Sequence, residues 1–218
     1  MRLHLKIRAK KVTIPYDHQA LLTGTIHKWL KHNEYHGNLA LFSFSRLKGA
    51  KAVANGLYFD NETAFFISVH ENGMLKKIIQ SIQDDPDMFN GLSVEELIIQ
   101  EDPDLNNIEH FLPASPIFIK RKINDKIEHI LFTDPDAGQY LKETLLTKMK
   151  TVGISDDALQ ISFDQSHSNA GIKLITYNGI GNKASWCSVF IKGKPETKLF
   201  AWNVGLGNST GIGFGAIK

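Results

Sequence analysis

A dense run of glycine near the carboxy terminus is the first feature that suits ligand chemistry. Five glycines occupy the eleven positions 205–215. Glycine permits positive φ and lets a ligand approach backbone N–H groups closely, which suits phosphate or ribose binding. The run is not a dinucleotide-binding fingerprint, because we expect a helix before it and a strand after it, and it lacks the Lys-Ser/Thr pair of a P-loop. A connector that only turns the chain is the alternative interpretation.

Histidine supplies the candidate groups for proton transfer or metal binding. Two of the nine histidines, His32 and His36, lie four residues apart, as in a zinc-binding helix. The glutamate between them is misplaced for the metalloprotease signature, and Gly37 predicts that the helix has already ended. We therefore expect no metal at this pair. The single cysteine, Cys187, is expected to be a small buried hydrophobe, and its inability to form an internal disulfide agrees with a reducing compartment.

Charged and apolar side chains alternate along the first residues of the chain. This period of two predicts a strand over residues 2–12 with one apolar face and one basic face. The basic face carries Arg2, His4, Lys6 and Arg8. Because such groups are not buried without partners, we expect the sheet to be open to solvent on this side.

The net charge of +2 conceals a strong charge pattern along the chain. Residues 1–59 hold ten Lys and Arg against two acids, residues 60–104 hold eleven acids against two Lys, and residues 165–218 hold six Lys against one acid. Two basic ends that meet in the fold would suit a polyanion, although an ordinary solvated surface explains the same pattern. No apolar run approaches the ~20 residues of a membrane span, and the amino terminus lacks the apolar core of a signal peptide.

Hydrophobic periodicity predicts an α+β fold with two halves of similar element order. In the first half we expect strands at 2–12, 39–47, 56–59, 64–70 and 92–100, and helices from Asp17 to about His32 and at 73–83. In the second half we expect strands at 117–122, 158–163, 171–177, 186–191 and 213–217, a helix that begins near Pro135 and a short helix at 195–202.

The order of these elements predicts the fold class. Strand, helix, strand, strand, helix, strand is the ferredoxin-like pattern, with helices on one face of an antiparallel sheet. A polar, proline-flanked stretch at 102–113 indicates a domain boundary. We therefore expect two tandem ferredoxin-like (RRM-like) domains, at 1–104 and 105–218.

Four motifs together resemble the CRISPR-associated endoribonucleases that process repeat RNA. The glycine run has paired glycines, Gly205 with Gly207 and Gly211 with Gly213, followed by Phe214. The other three motifs are Ile-Pro-Tyr at 14–16, Leu-Phe-Ser-Phe-Ser at 41–45 and Ser-Pro-Ile at 115–117. Their order agrees with the family, and the resemblance covers nearly the whole chain.

The resemblance implies metal-free cleavage of CRISPR repeat transcripts, in which a ribose 2′-OH attacks the neighbouring phosphate. The expected products carry a 2′,3′-cyclic phosphate and a 5′-OH, and no cofactor is expected. The implied partner is CRISPR repeat RNA, on the basic face and the glycine run. Other CRISPR effector subunits and a second copy of the chain are candidate protein partners, and the expected location is the prokaryotic cytoplasm.

The resemblance also implies which residues act. His36 matches the family's reactive histidine, after the first helix. The second group, often a tyrosine on that helix, is replaced by His27, which we place on the flank of the apolar face. No lysine lies between His36 and Phe42, where some members have one, so Lys48 or Lys51 is the candidate substitute. This departure keeps a second hypothesis open, a catalytically inactive relative that holds guide RNA. A third is a ferredoxin-like protein unrelated to RNA.

Overall fold

A computed structural model describes residues 1–31, 39–166 and 168–218 of the chain. The first half contains, in chain order, β1 (Arg2–Arg8), β2 (Val12–Ile14), α1 (Gln19–Leu30), β3 (Phe42–Phe44), β4 (Lys51–Val53), β5 (Gly56–Phe59), β6 (Glu62–Val69), α2 (Asn72–Asp84) and β7 (Ser93–Gln100). The second half contains β8 (His110–Phe111), β9 (Ile119–Ile123), β10 (Lys126–Ile130), α3 (Ala137–Thr151), β11 (Gln160–Phe163), β12 (Gly171–Tyr177), β13 (Ile180–Trp186), β14 (Val189–Lys192) and α4 (Pro195–Val204).

The main sheet of the first half has the strand order of a ferredoxin-like fold. Its strands run β3-β6-β1-β7, and each neighbouring pair is antiparallel. Leu5 of β1 pairs with Phe65 of β6 on one side and with Leu97 of β7 on the other. Because side chains alternate across a strand, the apolar residues of β1 share one face, which is fully buried in a core completed by α1 and α2.

Three expectations for the first half are corrected. The expected strand at 56–59 exists as β5, but it belongs to a separate sheet of order β2-β5-β4. The expected strand at 39–47 is reduced to β3, because the chain leaves the ladder at Ser45, whose hydroxyl accepts the N–H of Phe66. Helix α1 begins at Gln19 with His18 as its N-cap, so the predicted cap at Asp17 is wrong.

The second half has its own core, built mainly on α3, α4 and the sheet β11-β14-β8. Two hairpins, β9 with β10 and β12 with β13, complete this half. The expected strand at 213–217 is wrong: within it only Ile217 forms a bridge, with Pro113. Regular pairing fails there because the Ala216 N–H donates to the Ser115 hydroxyl, while the Ala114 carbonyl accepts the Arg46 N–H.

The two cores divide the chain near the predicted boundary. Buried residues of the first core end at Leu92, and those of the second begin at Leu105. Division into domains after Asp104 stays a proposal. No helix in the described ranges is long and apolar enough to cross a lipid bilayer.

Candidate functional site

The glycine-rich segment, residues 205–215, lies between the two halves of the molecule. It leaves α4 with a hydrogen bond from the Gly205 N–H to the Ala201 carbonyl, 2.9 Å. It then folds back on itself, since the Leu206 N–H donates to the Gly215 carbonyl at 2.9 Å. The Asn208 N–H donates to the Phe118 carbonyl at 2.7 Å, which fixes the segment to the second half.

The glycines of this segment serve close packing within the protein. Gly205, Gly207 and Gly213 have φ values of +74°, +75° and +96°, which L side chains rarely adopt. A Cβ at Gly207 would collide with the backbone of Phe118, and one at Gly211 would lie 2.9 Å from the Cβ of Ala40. The expectation that these glycines clear space for a ligand is therefore corrected, because each of them is enclosed by protein atoms. The more accessible positions are Asn208, Ser209 and Ile212.

Helix α1 presents a polar side to the segment. The Gln19 side-chain amide donates to the Ile212 carbonyl at 2.9 Å, and Nε2 of His27 lies 3.2 Å from the Gly211 carbonyl. Because a carbonyl only accepts hydrogen bonds, the His27 Nε2 carries a proton. The lone pair of the neutral ring is then on Nδ1, so the contact selects one tautomer.

His27 stands where three parts of the fold meet. It projects from α1, contacts the glycine-rich segment at Gly211, and packs edge-on against Phe42 of β3 with ring centroids 6.2 Å apart. Its side chain is half-buried, whereas its helical neighbours Ile26 and Trp29 are fully buried. The position on the flank of the apolar face that the sequence predicts is confirmed.

Arg2 contradicts the prediction of an open basic face on β1. Its side chain is 3% exposed and lies between the rings of Phe66 and Trp202, 3.7 and 3.5 Å from their centroids. It donates to the Ser68 hydroxyl at 2.6 Å and to the carbonyls of Trp202 and Ile217 at 3.2 and 2.7 Å. Burial lowers the pKa of this guanidinium. Arg2 thus joins the two halves and has no surface left for RNA.

Of the rest of the basic face, His4 lines a groove of about 330 Å³ between the halves, whereas Lys6 and Arg8 lie outside it. Basic groups at the groove come from both ends of the chain, and the lining residues include His4, Lys48, His110, Lys218, Phe66 and Trp202. His4 contacts the Gln100 side-chain oxygen at 2.7 Å. Phe66 and Trp202 are buried against Arg2, so the groove offers a nucleic acid its cationic side chains.

Farther along β1, the remaining cations differ in their pairing. Lys6 lies 3.1 Å from the Glu62 carboxylate, and this hydrogen bond raises the pKa of the lysine. Arg8 is exposed at the end of the strand. A phosphate would therefore meet Arg8 directly, but would compete with Glu62 for Lys6.

Residues 99–218, more than half of the chain, match the family model described as CRISPR associated protein Cas6, C-terminal. The chain belongs to the Cas6 family. Membership places it among the CRISPR-associated proteins, as the four sequence motifs predict. A comparison of this Cas6 chain with curated proteins finds no match.

Solved structures similar to this Cas6 protein cover its whole length. One described as CRISPR associated protein Cas6 is 20% identical, with a TM-score of 0.84 over 100% of this chain and 98% of that chain. A Cas6-related protein from Pyrococcus furiosus is 19% identical, with a TM-score of 0.86 over 100% and 97%. A RAMP protein binding different RNA substrates is 18% identical, with a TM-score of 0.85 over 100% and 98%. These likenesses concern the fold, and the predicted tandem ferredoxin-like architecture is confirmed.

Of the residues predicted to act together in this Cas6 chain, the structure describes His27 and Lys48. His36 lies outside the described residues, so its role stays a prediction. Lys48 is exposed and lines the groove on the face of the main sheet opposite α1. It is therefore not brought to His27, and Lys51 is exposed on β4 in the smaller sheet.

Sequence reasoning missed part of the groove. His110 lines it and is paired with Asp164, 3.1 Å away, and Lys218 contributes from the last position of the chain. Both come from the second half, far in sequence from β1. The only sequence feature that pointed to this groove was the charge pattern, with basic ends and an acidic middle. The sequence gives no local pattern for which distant segments will pack together.

Proposed function

We propose that this Cas6 protein is a metal-independent endoribonuclease that cleaves CRISPR repeat transcripts into guide RNAs. Family membership supports the substrate class. The observation that carries the chemistry is the contact between His27 Nε2 and the Gly211 carbonyl, which holds an imidazole in one tautomer at the junction of α1, β3 and the glycine-rich segment.

The proposed reaction uses the RNA as its own nucleophile. A base removes the proton from a ribose 2′-OH, and the 2′-oxygen attacks the adjacent phosphorus. The bond from phosphorus to the 5′-oxygen breaks, and an acid gives that oxygen a proton. The products carry a 2′,3′-cyclic phosphate and a 5′-OH. Imidazole suits both proton transfers near neutral pH, so His27 and His36 are proposed to divide them.

The groove supports RNA binding by the same molecule. His4, Lys48, His110 and Lys218 line it, and Arg8 extends the basic border along β1. Positive side chains that replace condensed counterions supply most of the affinity for a nucleic-acid backbone. We propose that a single-stranded part of the transcript follows this border, while Asn208 and Ser209 offer the accessible contacts of the glycine-rich segment.

A two-part experiment tests the chemistry. Repeat RNA incubated with the protein in excess EDTA should be cut at the normal rate, because histidines and a 2′-OH suffice. The same RNA with a single 2′-deoxy residue 5′ to the scissile phosphate should bind and stay intact. A strict requirement for added Mg²⁺, or cleavage of the deoxy substrate, would contradict the mechanism.

A second candidate function is an RNA-binding subunit without catalytic activity. The observation that favours it is the placement of Lys48, which lies across the main sheet from His27. Tight binding of repeat RNA with no cleavage under any condition would select this function. Association with other CRISPR effector subunits or as a homodimer, and a cytoplasmic location, remain parts of the proposal.

A further inference from the structure

Within the described part of the chain, a buried lysine next to the glycine-rich segment has no acidic partner, although such a group usually has one. Lys148 of α3 is 3% exposed, although lysine is almost never fully buried unless it is paired with an acid. Its ammonium donates to the Thr210 hydroxyl at 2.9 Å and to the Val204 carbonyl at 3.2 Å, and both partners are neutral. The ion pairs found among the described residues do not include it. Burial lowers the pKa of this amine to about 7.

The two partners of Lys148 lie at defined points around the segment. Val204 is the last residue of α4, where helix carbonyls lack partners within the helix. Thr210 is the first residue of a 3₁₀ turn, Thr210–Ile212. Lys148 therefore ties the end of α4 to this turn and fixes how residues 205–209 loop between them.

The same turn carries the contacts to α1. The carbonyl of Gly211, next to Thr210, faces Nε2 of His27, and the carbonyl of Ile212 accepts the Gln19 amide. The turn is thus held by Lys148 on one side and by α1 on the other. Any movement at Thr210 would be passed to the Gly211 carbonyl through a single peptide unit.

We propose that Lys148 is a positioning residue that fixes the turn 210–212, so that the Gly211 carbonyl orients the His27 imidazole. The effect on RNA cleavage rests on the proposed function, whereas the effect on the His27 ring does not. Lys148 touches neither the RNA nor the reacting atoms, because it is enclosed by protein.

Activity and the state of the His27 ring distinguish positioning from packing. Methionine has nearly the length of lysine but carries no charge and donates no hydrogen bond, so Lys148→Met keeps the buried volume and removes both contacts. If Lys148 only fills space, Lys148→Met should leave both stability and activity intact or improved. If Lys148 positions the turn, the variant should stay folded but lose activity and disturb His27.

The main comparison uses four single variants of the full chain: Lys148→Met, Thr210→Val, Thr210→Ser and, as the matched control, Lys150→Met. Lys150 is an exposed lysine on the same helix, so its variant removes the same charge without touching the segment. Nitrogen NMR of the His27 imidazole reports the tautomer, urea unfolding reports stability, and single-turnover cleavage of saturating repeat RNA reports the rate. The His27 signals are assigned by their loss in His27→Gln.

We expect Lys148→Met and Thr210→Val to shift the His27 nitrogen signals and to slow cleavage by about 10- to 100-fold, as small misplacements of reacting groups do. Thr210→Ser and Lys150→Met should match the wild type. The double variant Lys148→Met with Thr210→Val should be no slower than the worse single variant, since both remove the same hydrogen bond between Lys148 and Thr210.

Unchanged His27 signals in Lys148→Met and Thr210→Val, with rates equal to that of Lys150→Met, would overturn the proposal. If Lys148→Met does not fold, the comparison of Thr210→Val with Thr210→Ser decides alone. If the wild type cleaves no RNA, the proposed function fails, while the NMR comparison still decides whether Lys148 positions His27.

Discussion

At the scale of single residues, His27 shows how a local pattern and a distant contact combine. Its place beside the apolar face of α1 follows from helical spacing, and the structure confirms that place. The carbonyl that selects its tautomer belongs to Gly211, 184 positions away in the chain. The first property was predictable from sequence, whereas the second depended on the docking of the glycine-rich segment.

A pair of substitutions at His27 tests whether it transfers a proton. His27→Ala should slow single-turnover cleavage by about 10²- to 10⁴-fold with little change in RNA affinity, as expected for loss of a general acid or base. His27→Gln keeps an amide donor that can reach the Gly211 carbonyl but cannot titrate, so it should be equally slow. His36→Ala should be at least as slow. Near wild-type cleavage by His27→Gln would mean that His27 transfers no proton and only supports the glycine-rich segment.

Arg2 provides a residue-scale test of the junction between the halves. Arg2→Lys should lower the free energy of unfolding by about 2 kcal/mol or more, since an ammonium cannot stack between two rings while donating to three oxygens. Arg8→Lys, on the same strand but exposed, is the control and should unfold like the wild type. Equal urea midpoints for the two variants would mean that Arg2 does not hold the junction.

At the scale of elements, β1 shows what the alternation of charged and apolar residues can and cannot predict. The period of two correctly assigned Leu3, Leu5 and Ile7 to the core face. It also assigned Arg2 and Arg8 to one opposite face, yet Arg2 is buried and Arg8 is exposed. The second half of the molecule covers only part of that face. Which residues of β1 it covers cannot be inferred from the sequence of β1 itself.

The exposed end of β1 is predicted to contact RNA. Changing Lys6 and Arg8 together to Ala should weaken binding at low salt, and the slope of log K against log salt should become shallower by about 0.7 for each phosphate of a single strand that the variant no longer neutralises. Glu62→Gln is the companion variant, because it releases Lys6 from its ion pair and should strengthen binding. A salt series that is the same for the wild type and both variants would place the RNA elsewhere.

At the scale of the whole molecule, the tandem fold was largely predictable because its elements are coded locally. Helix α2, predicted at 73–83, spans Asn72–Asp84, and α4, predicted at 195–202, spans Pro195–Val204. The separate sheet of β2, β5 and β4 and the irregular path of 213–217 were not predicted. Both depend on which segments pair across the chain, and periodicity does not specify partners.

The candidate site, like the fold, was only partly predictable from the sequence. The glycine-rich segment and His27 were found from residue types and spacing. The burial of the glycines and the groove with His110 and Lys218 were not, because they arise only when the second half packs on the main sheet. Packing against the protein explains the glycines without any ligand.

The chemical identity of the cleaved ends tests the central claim most directly. Repeat RNA is cut in a single turnover in EDTA, and the fragments are weighed by mass spectrometry. The account predicts a 2′,3′-cyclic phosphate on the upstream fragment and a 5′-OH on the downstream fragment, because the 2′-oxygen displaces the 5′-oxygen at phosphorus. A 3′-OH upstream with a 5′-phosphate downstream would show that water was the nucleophile, and would contradict the account.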